Sequence, residues 1–124
     1  GYCLGVHSGA AVGLGMEDDA VGAICLRPDA PDDPRLIPVL AYVAKLTKAP
    51  ASVDKADVEA MYEAGWGDDA VSLAAQITAL YAFMNRLVEG HGVSGDPAVL
   101  RANGERLAKI GYDGLADLIG VGSR

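Results

Sequence analysis

At 124 residues the chain is long enough for one domain with its own core and too short for two comfortable ones. A formal net charge of −7 argues against nucleic acid and an anionic membrane as partners, since both need a basic face. With 51% hydrophobic and 22% charged residues, no apolar run near membrane length, no basic-then-apolar leader and two separate cysteines, it reads as soluble and cytoplasmic.

Almost every segment has a helical period. The opening YCLGVHSGAAVGLG sets Cys3 and His7 at i and i+4, stacked on one helix face a single turn apart. Gly13 and Gly15 weaken this helix, and Gly15 is a natural left-handed stop. Glu17 to Ile24 begins with acidic residues, as helix starts prefer, and ends before Arg27-Pro28. The stretch RPDAPDDP is a turn-rich loop. A helix starting near Arg35 carries the stripe Leu36, Val39, Leu40 and Val43, with Pro38 tolerated in its first turn.

Asp54 is placed to cap the next helix, Asp57 to reinforce its first turn and Val53 to staple onto Val58; Gly65 ends it. The longest helix runs from about Asp68 to Val88, with Leu73, Ile77, Leu80, Met84 and Leu87 on one stripe. Val71, Ala74, Tyr81 and Val88 extend its apolar surface around the helix, which predicts a homo-oligomer. Gly90 and Gly92 end this helix. Asp96-Pro97 opens another through Leu100, Leu107 and Ile110; Gly111 breaks it, and GYDGLADLIG adds a short terminal turn or helix. GMEDDAV from Gly15 and GWGDDAV from Gly65 are one helix–turn–helix joint written twice. The expected fold is all-α, with about five to six helices in one domain spanning residues 1–124.

Cys3 in a first helical turn faces backbone N–H groups whose partial charge favours a thiolate, and an imidazolium at His7 favours it further. Cys25 ends an apolar helix, AICL, with no base nearby in sequence, so it reads as packing or surface. Cys3, Cys25, His7 and His91 together have the donor types of a zinc site, but only Cys3 and His7 have a local ligand spacing, so no metal is expected. His91 reads as a helix-end cation, and Trp66 as a staple onto Val71.

The opening YCLGVHSGAAVGLG resembles the AhpD-like (carboxymuconolactone decarboxylase-like) family of alkylhydroperoxidase-related proteins. There a Cys-x-x-Cys-x-x-x-His motif lies on a glycine-ended helix; Cys3 matches its second cysteine and His7 its histidine. DPRL, AGWGDDAV and ALYAFMNRLVEGHGV extend the resemblance over most of the chain. It implies an AhpD-like helical bundle and a thiol peroxidase without metal or organic cofactor. Cys3 would attack a hydroperoxide and become a sulfenic acid, His7 would relay the proton, and a thiol or dithiol would restore the cysteine. The motif's first cysteine would fall just before Gly1, with a relay glutamate about a dozen residues further upstream, so the chain reads as N-terminally incomplete. Two alternatives stand beside this one: a lactone decarboxylase or isomerase of the wider family, and a non-catalytic helical oligomeric scaffold.

Overall fold

The computed structural model describes residues 1–27 and 31–121. Six α-helices follow one another: α1 (Tyr2–Gly13), α2 (Asp18–Leu26), α3 (Leu36–Lys48), α4 (Lys55–Glu63), α5 (Asp68–Gly90) and α6 (Pro97–Leu118). A 3-10 turn, Pro50–Ser52, joins α3 to α4, and no strand occurs among the described residues. The all-α expectation holds. Part of the predicted loop between Arg27 and Pro34, residues 28–30, lies outside the described residues.

The chain forms two compact units, Gly1–Gly22 with Leu87–Arg124, and Ala23–Arg86. In the first, α1 lies along α6. Gly5, Gly9 and Gly13 recur every fourth residue of α1, so they share one face. A side chain at Gly9 would strike the Arg101 carbonyl, and one at Gly104 would strike the Val6 carbonyl. The two backbones therefore meet with nothing between them, the approach that paired small residues permit. Gly13 does not merely weaken α1, as the sequence alone implied. It faces Glu105 and Ala108 of α6, where an added Cβ would lie 2.8 Å from the Ala108 methyl. Arg101 anchors the start of α2 through Asp18 at 2.9 Å.

Helix ends follow local chemistry. At Gly15 (φ +100°) the Gly15 and Met16 amides donate back to the Val12 and Ala11 carbonyls at 2.9 and 3.1 Å. At Gly65 (φ +89°) the Gly65 and Trp66 amides repeat this to Tyr62 and Met61 at the same distances. Both helices end in a left-handed glycine that satisfies orphan carbonyls, and each is followed by an acidic helix start at Asp18 or Asp68. The repeated sequence is thus a repeated joint. Gly111 (φ +67°, ψ 180°) kinks α6 where the break was expected, and helix resumes to Leu118.

In the second unit, Asp54 and Asp57 form a reciprocal capping box at the start of α4. Lys45, in the last turn of α3, reaches Asp57 at 2.6 Å and Asp54 at 3.4 Å. The Lys45 ammonium, and then the Asp54 amide, hold the Asp57 carboxyl below its ordinary range. A carboxyl depressed in the folded state stabilises fully above its unfolded value and ceases to do so as pH falls through the folded one. The wild type should therefore lose thermal stability below about pH 4, and Asp57→Asn should lose less over that interval. Thermal melts followed by the fluorescence of Trp66, the sole tryptophan, measure both slopes. Equal acid slopes would refute the role given to Asp57.

Trp66 has a partner beyond the expected Val71. Its indole N–H donates to the Arg35 carbonyl at 2.8 Å, and the Arg35 guanidinium lies 5.5 Å above its ring. The α4–α5 joint is thereby fastened to the start of α3. Met61 is fully enclosed, with Tyr42 and Thr78 also buried. The predicted stripe of α5 is not core: Leu73, Ile77, Leu80 and Leu87 are each 43–57% exposed. A 310 Å³ cleft between α5 and α3 is lined by Ala74, Ile77, Thr78, Tyr81 and Ala82 on one side and by Val39 and Val43 on the other, so of that stripe Ile77 alone reaches it. The expectation of no membrane-length apolar run also fails for α5, which is long and apolar enough by length and composition.

Candidate functional site

Cys3 lies in the first turn of α1, and the Gly1 carbonyl already accepts the Gly5 amide at 3.3 Å. Its side chain shares the buried face of α1 with Val6 and Gly9, and the residue is 9% exposed. The helical spacing brings His7 to the same end of the unit, as expected. His7 turns Nδ1 back to the Cys3 carbonyl oxygen at 2.8 Å and sets Nε2 3.1 Å from the Tyr112 hydroxyl. A nitrogen facing a carbonyl must carry the proton, so Nδ1–H donates there. In the neutral ring Nε2 then accepts from the Tyr112 hydroxyl. Protonation of Nε2 reverses that bond, because a phenol also accepts. The arrangement sets an imidazole nitrogen beside a phenol hydroxyl, one helical turn from a thiol.

Tyr112 was not legible as a site residue. It follows Gly111, whose left-handed backbone redirects the last part of α6 toward α1. The dipeptide Gly-Tyr hinted at a break but gave no sign of a contact spanning 105 residues of sequence.

A cleft of 350 Å³ opens beside the first turn of α1. Leu4, Val93, Pro97 and Leu100 give it apolar walls, and Glu89 contributes a carboxylate. Glu89 was not singled out by the sequence. Such a cavity takes a small molecule that is largely apolar with one polar group.

The other sulfur and imidazole stand apart in role. Cys25 is exposed near the end of α2 and belongs to the second unit. His91 bonds the Leu87 carbonyl through Nδ1 at 2.7 Å, the helix-end position expected of it. Among the described residues no group of three or more His, Cys, Asp and Glu side chains is placed to hold a metal ion. In comparisons with protein-family models, curated proteins and solved structures, the chain has no match.

Proposed function

We propose that this chain is a thiol-dependent oxidoreductase of the peroxidase type, the activity that its resemblance to the AhpD-like family implies. One observation carries the reading: a first-turn cysteine with an imidazole one turn on, whose Nε2 is engaged by a phenol. The Cys3 thiolate attacks the distal oxygen of a hydroperoxide; the O–O bond breaks, an S–O bond forms, and the alkoxide leaves as alcohol after taking a proton. His7 first takes the Cys3 thiol proton at Nε2, becoming imidazolium, and then gives that proton to the departing alkoxide, which returns the ring to its neutral form beside Tyr112. A thiol then condenses with the sulfenic acid, releasing water and leaving a mixed disulfide. A second thiol restores Cys3 and carries away the oxidised pair. The apolar cleft beside the first turn suits an alkyl group, although Cys3 and His7 do not line it.

Burial of Cys3 favours a second reading, in which the thiol only packs and the chain is a helical scaffold. The two are separated by following tert-butyl hydroperoxide consumption in the presence of dithiothreitol. Cys3→Ser should lose at least about tenfold of the rate above background, and Cys25→Ser should retain it. A Cys3→Ser protein as active as the wild type would leave the scaffold.

A further inference from the structure

The outward side of α5 has a pattern that the described residues leave largely uncovered, with Ile77 at its border lining the cleft to α3. Leu73, Ile77, Leu80, Met84 and Leu87 follow one another at alternating steps of 4 and 3 residues, the spacing of a coiled-coil seam. Leucine occupies each d position, and Ile77 and Met84 occupy a. Leu73 is 57% and Leu80 56% exposed, and Phe83 beside them is 60% exposed. Thr78, on the side turned to α3, is 8% exposed. Thr78 is thus covered within its own unit, whereas Leu73, Leu80 and Phe83 are each more than half exposed.

We propose that a second copy of this chain lays its own α5 along this seam, so that the two helices pair as a two-stranded coiled coil. The seam is self-complementary, since leucine at d with an aliphatic or thioether side chain at a packs against its own repeat and favours two strands. The flanking positions are Ala74, Tyr81 and Val88 on the side that borders the α3 cleft, and Gln76, Phe83 and Gly90 on the other. None is charged, and charges at those positions are what coiled coils use to choose a different chain. The available area is adequate. The half-exposed seam side chains and Phe83 offer on the order of 500 Å² per copy, so a pair buries about 1,000 Å², near the lower bound for a specific interface. A lipid surface fits less well. A spanning helix is apolar all round, whereas α5 carries Ser72, Gln76, Asn85 and Arg86 around its circumference. This inference is independent of the cysteine chemistry.

Sedimentation equilibrium of the wild type at micromolar concentration should give a dimer. Leu80→Glu, at the central d position, should raise the dimer dissociation constant at least about thirtyfold while far-UV circular dichroism is retained. Should that variant fail to fold, Leu80→Ala should shift the constant in the same direction. Leu26→Glu, on a leucine 83% exposed and off the seam, should leave the dimer intact. A monomeric wild type would overturn the proposal, as would a dimer that Leu80→Glu leaves unchanged. Flotation of the wild type with neutral phosphatidylcholine vesicles, with loss of the dimer, would overturn it in favour of a lipid surface.

Discussion

Gly104→Ala should destabilise the first unit by at least about 3 kcal/mol, a large fraction of the net stability of a small domain. The added Cβ would meet backbone on three sides: the Val6 carbonyl oxygen, the Ala10 nitrogen at 2.7 Å and the Gly9 carbonyl carbon at 2.9 Å. Backbone cannot swing aside as a side-chain tip can, so α1 must move bodily off α6. Gly9→Ala should act alike, because its Cβ would collide with the Arg101 carbonyl. Gly22→Ala is the control. Gly22 lies in α2 with nothing within 4 Å of the new methyl, so there the same substitution should stabilise by roughly 0.5–1 kcal/mol. Urea unfolding followed by far-UV circular dichroism, or hydrogen exchange of the α1 amides, makes the measurement. The fluorescence of Trp66 reports on the second unit and does not serve here. If Gly104→Ala unfolds at the wild-type urea midpoint, the close helix contact is wrong.

Helix boundaries were legible because the chemistry that ends a helix is local. Asp54 with Asp57, Asp96 before Pro97, and glycines at positions 15, 65 and 92 act within four residues of where they stand. What a helix face meets is not local. The glycines of α1 read as weak points because glycine costs about 1 kcal/mol in an isolated helix, and only the facing α6 backbone gives them a purpose. On α5 two apolar sides compete, and periodicity marks both without saying which is turned inward. The stripe from Leu73 to Leu87 stays half-exposed, and the residues that line the cleft to α3 are Ala74, Ile77, Thr78, Tyr81 and Ala82. The candidate site divides the same way. Cys3 and His7 are one helical turn apart and visible in the chain, whereas Tyr112 reaches His7 only through the kink at Gly111.

His7→Ala should slow oxidation of Cys3 by roughly a hundredfold, the usual contribution of a positioned acid or base. The cost lies in the leaving group: without a donor, alkoxide must depart unprotonated or wait for water. Tyr112→Phe keeps the ring and removes the hydroxyl beside Nε2, so it should cost less, a few-fold, because water can take its place. A purely structural His7 makes a different forecast. Its bond to Tyr112 joins α1 to the last part of α6, and its bond to the Cys3 carbonyl lies within α1; each contributes about 1 kcal/mol, so both variants would melt earlier. Stopped-flow oxidation by tert-butyl hydroperoxide, well below each variant's melting temperature, removes stability from the comparison. Added imidazole, partly protonated near neutral pH, supplies the missing proton donor to His7→Ala without rebuilding the tie between helices. A catalytic His7 requires a folded His7→Ala protein that oxidises slowly and is partly rescued by imidazole. A structural one requires a lower melting temperature, an unchanged oxidation rate and no rescue.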